Sequence, residues 1–272
     1  MSLTIAAALS AARTRIPASE ASLLLAEASG QGKAWLIAHD DEDLPTETAA
    51  RFEGWVSRRE RGEPVAYILG WREFYGHRFA VGPGVLIPRP ETELLVEEGL
   101  AAIKDKQQPR ILDLGTGSGC IAISLALARP DAQVWAVDYS ADALKIATAN
   151  AATLGAKVEF VRSDWTASLQ ARDFDLIVSN PPYIDPDDAH LVQGDLRFEP
   201  KSALAAPDAG LADLRRIVDA AAGLLKSGGT LLCEHGWDQG GFVCEMVVAK
   251  GFSPLQYRDL AGLIRVTGGV LG

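Results

Sequence analysis

Apolar residues recur at helical spacing over roughly the first 65 residues, which predicts a small bundle whose helices each bury one stripe. Ser19 and Thr46 are candidate N-caps, and Gly30 and Gly62 follow two of the predicted helix ends. We expect helices over residues 20–28, 33–39 and 46–61.

From residue 110 onward, short apolar stretches alternate with segments of helical periodicity. Strands that are apolar on both faces and separated by helices are typical of a mostly parallel sheet covered on both sides. The last two strands are close in sequence, so we expect them to pair as a closing antiparallel hairpin. The predicted strands are residues 110–114, 133–138, 158–162, 174–179, 229–234, 254–258 and 262–267, and the predicted helices are residues 119–128, 141–154, 211–225 and 240–250.

Between these regions, aromatic and apolar residues are interspersed with glycine and proline, which predicts a β-hairpin that turns near Tyr75 and Gly76. After it, Pro90 can occupy the first position of a helix that runs to about residue 103. The expected organisation is a helical domain of residues 1–64, a hairpin linker of residues 65–87 and an α/β domain of residues 88–272.

Acidic residues outnumber basic ones, and the excess lies almost entirely in the α/β region. The formal net charge is −10; residues 1–90 carry 10 Lys and Arg against 11 Asp and Glu, and residues 91–272 carry 16 against 25. Proteins that follow a phosphate backbone usually have the opposite balance, because Lys and Arg displace its counterions. The charge therefore argues against nucleic acid as the direct partner and favours a basic protein.

No stretch approaches the roughly 18 uninterrupted apolar residues of a membrane-spanning helix, and no basic residue precedes the short apolar run at the N-terminus. The three cysteines are sparse and lie in apolar surroundings, a pattern typical of buried thiols in a reducing compartment. The four histidines lack the spacing of metal ligands. We expect a soluble, cytoplasmic protein with no membrane contact and no bound metal.

Three glycines stand where the first predicted strand passes into a helix. Gly115, Gly117 and Gly119, with Thr116 and Ser118 between them, allow a tight turn and the close approach of a ligand to the backbone. Position 120 is cysteine, so the complete dinucleotide fingerprint is absent. A plain structural turn and a nicotinamide site are the alternatives to a nucleoside site here.

Acidic and aromatic residues follow the next two predicted strands. Asp138 can accept hydrogen bonds from both hydroxyls of a ribose. Beyond the third strand, Asp164 or the backbone beside it could hold an adenine amino group while Trp165 packs on the ring. The alternative, of equal weight, is that Trp165 belongs to the core and Asp164 caps a helix.

Four residues after the fourth predicted strand describe a receptor for a flat –NH2 group. They lie at the sheet edge where α/β proteins bind ligands. Pro181 and Pro182 have no backbone N–H and leave carbonyl oxygens pointing outward. Asn180 adds a side-chain carbonyl, and Tyr183 adds an aromatic face. A proline-rich turn without chemistry is the alternative interpretation.

Such a receptor suits methyl transfer to an amide or exocyclic amine, whose nitrogen is a poor nucleophile because its lone pair is delocalised. Hydrogen bonds accepted from both N–H groups raise the electron density on nitrogen and favour a pyramidal geometry. The nitrogen can then attack the methyl carbon of S-adenosylmethionine in line. No strong base is required before methyl transfer, because the product is far more acidic and loses its proton afterward. Asn180, Pro181 and Tyr183 are the candidate catalytic residues.

Several segments resemble those of the PrmC/HemK family, in the same order, from about residue 20 to residue 267. The Asn-Pro-Pro-Tyr motif is shared with DNA and RNA amino-methyltransferases, whereas the segment Ile-Pro-Arg-Pro-Glu-Thr-Glu is much more specific. The matching segments are residues 62–70, 73–76, 87–93, 112–119, 180–183, 198–200, 203–204, 259–262 and 265–266.

The resemblance implies a class I S-adenosylmethionine-dependent methyltransferase fold, an α/β fold with a Rossmann-like, mostly parallel sheet, a closing antiparallel hairpin and an N-terminal helical bundle joined by a β-hairpin. It also implies methylation of the side-chain amide nitrogen of the glutamine in the Gly-Gly-Gln motif of class I peptide chain release factors. The helical bundle would be their docking domain. Family positions for S-adenosylmethionine fall on Gly115–Gly119, Asp138, Trp165 and Asn180, and those for glutamine fall on Asn180, Pro181, Pro182 and Tyr183.

Two other functions remain open. A nucleic-acid amino-methyltransferase acting on adenine or cytosine would need a pocket for a flipped base and a basic recognition surface, which the acidic balance disfavours. A protein that binds S-adenosylmethionine without catalysis would not need the intact acceptor motif.

Overall fold

The computed structural model describes residues 3–170 and 172–272, and the chain divides into two units after Trp71. The N-terminal unit is helical. Its core is formed by one cluster of buried apolar side chains, among them Leu24, Leu25 and Val56. The helices of this unit are α1 (Ile5–Arg13), α2 (Ala18–Ser29), α3 (Lys33–Ala38), α4 (Thr46–Glu60) and α5 (Val65–Leu69).

The predicted N-caps of α2 and α4 are wrong by one or two residues. Ser19 and Thr46 lie inside these helices, and Pro17 and Pro45 occupy the cap positions without a side-chain hydrogen bond. A cap residue has extended ψ, and proline with its fixed φ adopts that conformation readily. Helix α1, for which no bounds were predicted, does begin at a side-chain cap, because Thr4 Oγ1 accepts from the N–H of Ala7 at 3.2 Å.

The predicted hairpin is present, but it is shorter than residues 65–87. Strands β1 (Trp71–Phe74) and β2 (His77–Ala80) are joined by Tyr75 and Gly76, which have φ of 50° and 74°. Two positive φ values in a two-residue loop suit the right-handed twist of a hairpin. Residues before it form helix α5 rather than a strand, since Gly70 at φ 79° ends a turn of helix.

The second unit is built on a sheet that, within the described residues, has seven strands in the order β5-β4-β3-β6-β7-β9-β8. Neighbours from β5 to β7 are parallel, and β9 is antiparallel to both β7 and β8. The mostly parallel sheet with a closing antiparallel hairpin is therefore confirmed. The strands are β3 (Arg110–Leu114), β4 (Gln133–Asp138), β5 (Glu159–Arg162), β6 (Phe174–Ser179), β7 (Leu225–Glu234), β8 (Phe252–Arg258) and β9 (Ile264–Leu271).

Helices cover both faces of this sheet, and two clusters of buried apolar residues fill the space between the layers. Strand β6 is buried along its whole length, as expected for a central strand with helices on both sides. The helices are α6 (Glu93–Ala102), α7 (Cys120–Ala128), α8 (Ala141–Leu154), α9 (Ala212–Ala221) and α10 (Gly240–Ala249).

Strands β7 and β9 extend beyond their predicted bounds because of backbone pairing. Strand β7 begins at Leu225, opposite Phe174, in a segment that was predicted to be helical. Strand β9 continues through Gly268 and Gly269, although a pair of glycines usually indicates a turn. A Cβ on Gly268 would stand 1.8 Å from the carbonyl oxygen of Leu231, so the approach of β7 requires glycine there.

Pro90 begins a short 3-10 helix, Pro90–Thr92, which leads directly into α6. The carboxyl ends of β3, β4, β5 and β6 meet at one edge of the sheet. Strand β3 is the point at which the order reverses, with β4 on one side and β6 on the other. Ligands of open α/β sheets bind in the crevice beside such a point.

Candidate active site

A cavity of about 580 Å³ opens at this edge of the sheet, inside the second unit. Its size is in the range of cofactor and ligand sites. Most of the predicted site residues line it, whereas Gly119, Pro181 and Tyr183 are not among the lining residues. Those that line it are Gly115, Thr116, Gly117, Ser118, Asp138, Asp164, Trp165, Asn180 and Pro182.

The glycine loop after β3 owes its shape to left-handed backbone conformations. Gly115, Gly117 and Gly119 have φ of 75°, 56° and 82°, values that side chains rarely adopt. At Gly119 space is also short, since a Cβ would stand 2.8 Å from Ile123 Cδ1 and 3.1 Å from Ala147 Cβ. The third glycine therefore permits close packing of α7 on α8, while the first two bring the backbone to the cavity.

A buried carboxyl group supports this loop from below. Asp113, the fourth residue of β3, is fully buried, and its Oδ2 accepts a hydrogen bond of 2.6 Å from Thr116 Oγ1. Burial raises the pKa of Asp113 to about 7, against the opposing effect of the Thr116 hydroxyl. No role was predicted for Asp113, although an acidic residue inside an apolar strand is a signal that the sequence offered.

Asp138 connects the glycine loop to the end of β4. One carboxylate oxygen accepts from the N–H of Gly117 at 2.9 Å, and the other accepts from the N–H of Ser140 at 2.8 Å. Burial raises the pKa of Asp138, and hydrogen bonds from the backbone N–H groups of Ser140, Gly117 and Tyr139 oppose that effect. Each carboxylate oxygen can accept two hydrogen bonds, so Asp138 retains acceptor capacity for a ligand hydroxyl.

The loop after β5 places an indole ring against the glycine loop. Trp165 Nε1 donates to the carboxylate of Asp213 at 3.1 Å. The far edge of its ring is so close to Gly115 that a Cβ there would stand 3.3 Å from it. Asp164 is exposed and forms an ion pair of 2.9 Å with Arg216. The ring is thus a fixed wall of the cavity, while Asp164 has a partner on the solvent side.

Asn180 lies at the end of β6 with one orientation of its side-chain amide. Its Nδ2 donates to Thr92 Oγ1 at 3.1 Å. Because the amide nitrogen and oxygen lie on opposite sides of the group, this bond turns the oxygen away from Thr92. Asn180 is half-buried and is among the residues that line the cavity, as is Thr92.

Tyr183 is held by contacts within the protein and is not among the residues that line the cavity. Its hydroxyl donates to Glu234 Oε1 at 3.3 Å, and its ring packs against the apolar cluster beneath β6 and β7. Its carbonyl oxygen accepts from Gln239 Nε2 at 2.9 Å. A Cβ on Gly210 would stand 2.0 Å from the same oxygen. The end of the motif is thereby anchored on several sides.

Two chain segments that are distant in sequence are tied together at the cavity wall. Arg89 forms an ion pair with Glu199, whose other oxygen accepts from the N–H of Ile87 at 3.0 Å. Glu199 is buried; burial raises its pKa, and Arg89 opposes that effect. Arg89 and Pro200 both line the cavity.

Residue-type reasoning gave no role to Thr92, Arg89, Glu199 or Glu234, although the first three fall within the segments that resemble the PrmC/HemK family. Glu234 lies in no such segment. Its signal was a single carboxylate at the end of an otherwise apolar strand, Leu231 to Cys233.

The acidic loop after the motif is held by local hydrogen bonds. Asp185 accepts from the N–H of Asp187, and Asp188 accepts from the N–H of His190. No element was predicted between β6 and α9. The structure has short 3-10 helices there, at Ala189–Val192, Leu196–Phe198 and Lys201–Ala203.

Within residues 3–170 and 172–272, no cluster of three or more His, Cys, Asp or Glu side chains is arranged to hold a metal ion. The same residues contain no helix with the length and apolar character to span a membrane. Cys120 and Cys233 are buried, and Cys244 is half-buried.

Comparison with known proteins relates each region to a described family. Residues 4–70 match the family "PrmC N-terminal domain", and residues 90–196 match "Methyltransferase small domain". The release factor glutamine methyltransferase of Bordetella pertussis is 50% identical over 258 residues, 94% of this chain and 96% of that protein. Its Escherichia coli K12 counterpart is 44% identical over 253 residues, 92% of this chain and 91% of that protein.

Solved structures agree on the fold. A 16S rRNA N2 methyltransferase of T. thermophilus, in complex with AdoMet and guanosine, superposes with a TM-score of 0.55. It is 20% identical, and the match covers 74% of this chain and 51% of that one. At this identity the likeness concerns the architecture, that of the S-adenosylmethionine-dependent methyltransferases.

Proposed function

We propose that the substrate of this chain is the glutamine of the Gly-Gly-Gln motif in class I peptide chain release factors. The reason is that the chain belongs to the release factor glutamine methyltransferase family. The reaction is transfer of a methyl group to the side-chain amide nitrogen of that glutamine. S-adenosylmethionine is the cofactor and supplies an electrophilic methyl carbon when it is bound.

The observation that carries the proposal is the orientation of Asn180. Its amide nitrogen is bound to Thr92 and the residue lines the cavity, from which we infer that the carbonyl oxygen faces the cavity. A carbonyl oxygen can only accept hydrogen bonds, so the site selects a ligand that carries an N–H or O–H donor. The primary carboxamide of glutamine has two N–H donors on one planar nitrogen and meets this requirement.

A second acceptor would come from the backbone carbonyls of Pro181 and Pro182. The two acceptors together bind both N–H groups and raise the electron density on the nitrogen. Because the acceptors are fixed in the fold, they stabilise the transition state with little reorganisation. Asn180 and Pro181 are the proposed catalytic residues, and Tyr183 is the proposed positioning residue of the motif. Tyr183 contributes by holding the motif in place, since its hydroxyl and its carbonyl oxygen are bound to Glu234 and Gln239.

The residues around the cavity fit the nucleoside part of S-adenosylmethionine. Asp138 retains acceptor capacity beside its backbone hydrogen bonds and would bind the ribose hydroxyls. The fixed ring of Trp165 would pack on the adenine, and Asp164 or its backbone would meet the adenine amino group. The loop from Gly115 to Gly119 would lie along the remainder of the cofactor.

We assign the docking of the protein substrate to residues 1–64 and the chemistry to residues 88–272, with residues 65–87 as the linker. The match of residues 4–70 to the PrmC N-terminal domain supports this division, because that domain accompanies a methyltransferase domain here. The acidic charge of the chain favours a basic protein partner over direct contact with nucleic acid. Release factors act on ribosomes, so we infer that the enzyme works in the cytoplasm.

The test is a methyl-transfer reaction with radiolabelled S-adenosylmethionine, in which release factor, duplex DNA and rRNA compete as acceptors. We expect label only on the release factor, and mass spectrometry should locate one methyl group on the glutamine of the Gly-Gly-Gln peptide. A release factor with alanine in place of that glutamine is the matched control and should stay unlabelled. Label on an exocyclic amine of nucleic acid instead would replace this proposal with the alternative function.

The role of Asn180 is tested separately. Asn180→Ala should lower turnover at least 100-fold, by analogy with the loss of one fixed polar group from an anion-stabilising site, which costs about 3 kcal/mol. The affinity for S-adenosylhomocysteine should stay within threefold of wild type. Turnover near the wild-type rate would exclude Asn180 as the acceptor.

A further inference from the structure

The orientation of the Asn180 amide is not determined by Asn180 itself. A carboxamide can rotate by 180°, which exchanges its acceptor and its donor at nearly the same shape. In the flipped form, Nδ2 would face the cavity. Nδ2 and a substrate –NH2 are both hydrogen-bond donors, so no hydrogen bond would form between them. Some other group must therefore make the observed orientation the stable one.

Thr92 is the first such group. Its hydroxyl accepts from Asn180 Nδ2 at 3.1 Å, and the residue is 2% exposed. A hydroxyl carries a single proton, and it can also donate to the Asn180 oxygen if the amide flips. Thr92 alone therefore tolerates both orientations. The choice between them depends on where the proton of Thr92 is directed.

The carboxylate of Glu234 is the acceptor to which the Thr92 hydroxyl can donate its hydrogen bond. Glu234 ends β7, next to the end of β6 that carries Asn180. The residue is 2% exposed, and one of its oxygens accepts from Tyr183. Among residues 3–170 and 172–272 its other oxygen, Oε2, has no hydrogen-bond partner. An unpaired buried carboxylate oxygen is costly.

The Thr92 hydroxyl also affects the protonation of this carboxylate. Burial raises the pKa of Glu234 to about 7, and of the groups that oppose this effect the hydroxyl of Thr92 is the strongest, followed by that of Tyr183. A carboxylate only accepts, so a hydroxyl that donates to it must receive its own hydrogen bond from a donor. For Thr92 that donor is Asn180 Nδ2.

We propose that Glu234 is a positioning residue which, through the hydroxyl of Thr92, holds the Asn180 amide with its oxygen facing the substrate. In this proposal Asn180 Nδ2 donates to the Thr92 hydroxyl, and that hydroxyl directs its proton to the unpaired Oε2 of Glu234. The same carboxylate receives the Tyr183 hydroxyl, so both ends of the Asn-Pro-Pro-Tyr segment are oriented by one buried group. This inference rests on the proposed function, since it concerns the acceptor of the carboxamide.

The experiment measures kcat and KM on the full-length protein with a release factor, and the affinity for S-adenosylhomocysteine by calorimetry. Thr92→Val keeps the side-chain shape without the hydroxyl, and Glu234→Gln keeps the shape but adds a donor. Each should lower kcat at least 10-fold, while the affinity for S-adenosylhomocysteine changes less than threefold. Thr92→Ser restores the hydroxyl and should recover most of the kcat that Thr92→Val loses. Thr230→Val, at a different buried threonine, which lies in β7, is the control and should leave kcat unchanged.

To distinguish a positioning role of Thr92 and Glu234 from a purely structural one, each substitution is combined with Asn180→Ala. If Thr92 acts through Asn180, Thr92→Val should not lower kcat more than a further twofold in that background, whereas Glu234→Gln keeps its separate effect on the Tyr183 hydroxyl. An additive loss in Thr92→Val, or wild-type kcat in Thr92→Val and Glu234→Gln, would overturn the inference while leaving the proposed function intact. Wild-type kcat in Asn180→Ala alone would refute the proposed acceptor itself. Thermal unfolding of each variant ensures that folded enzyme is compared, and Glu234→Gln decides the matter if Thr92→Val does not fold.

Discussion

Asp138 provides the sharpest test of the cofactor site, because both of its carboxylate oxygens are already bound to backbone N–H groups. In Asp138→Asn the side chain keeps its size, but its –NH2 group must face the N–H of either Gly117 or Ser140. Two donors then oppose each other in either orientation. The variant therefore loses a ligand acceptor and also disturbs the loop that approaches the ligand.

The magnitude follows from the hydrogen bonds involved. A hydrogen bond to a charged group contributes about 1.5 to 3 kcal/mol. Asp138→Asn removes the charge from both proposed ribose contacts and retains one weaker acceptor, so we expect a loss of about 2 to 3 kcal/mol. This corresponds to roughly a 30- to 150-fold rise in the Kd for S-adenosylmethionine.

Isothermal titration with S-adenosylmethionine measures this Kd, and turnover at saturating S-adenosylmethionine should recover much of the loss. Glu159→Gln removes the same charge from an exposed residue at the start of β5 and is the control; its Kd should stay within twofold of wild type. A change of less than threefold in Asp138→Asn, with normal thermal unfolding, would refute the assignment of Asp138 to the ribose.

Three further outcomes are expected. Gly210→Ala should destabilise the fold by about 3 kcal/mol or more in urea unfolding, because φ is +80° and the new Cβ would overlap the Tyr183 carbonyl. Gly155→Ala, at φ +73° in open space, is the control and should cost only about 1 kcal/mol. Equal costs for the two variants would contradict the overlap at Gly210. Arg89→Met should cost about 2 to 3 kcal/mol, since it leaves Glu199 buried without its cation, and Arg215→Met, at the half-exposed pair with Asp208, should cost less than about 1 kcal/mol. The pKa of Asp113 is about 7 in the folded protein and about 4 when unfolded, so the native state binds more protons between these values and the free energy of unfolding should fall as pH rises from about 5 to 7.5; Asp113→Asn should reduce this slope, and an unchanged slope would show that Asp113 does not cause it.

The elements of the α/β unit could be predicted because their signals are local. The strands of residues 110–114, 133–138 and 174–179 have the predicted bounds, since each is a short apolar run that ends in glycine, a charged residue or proline. Prediction was wrong where pairing with another strand decides the conformation. The pair Gly268 and Gly269 resembles a turn, and only the nearby backbone of β7 explains why it continues β9.

The residues of the candidate site were likewise predictable only where their signals are local in sequence. Residues that define the cavity after β3, β4 and β6 could be named from the sequence, because each follows a predicted strand at one sheet edge. Thr92 and Glu234 could not be assigned roles in this way. They reach Asn180 and Tyr183 across 88 and 51 residues of chain, and a hydrogen bond between side chains at such separations leaves no periodic pattern.

The long sequence separation of these bonds also has a consequence for biosynthesis. Arg89 pairs with Glu199 across 110 residues, and Tyr183 is bound to Glu234 near the C-terminal end of the sheet. Bringing such distant segments together carries a loop-closure cost that only the finished core can offset. A nascent chain that has not yet emerged past β7 should therefore lack an ordered acceptor site, so newly made enzyme should gain activity in one late step and truncated products should have none.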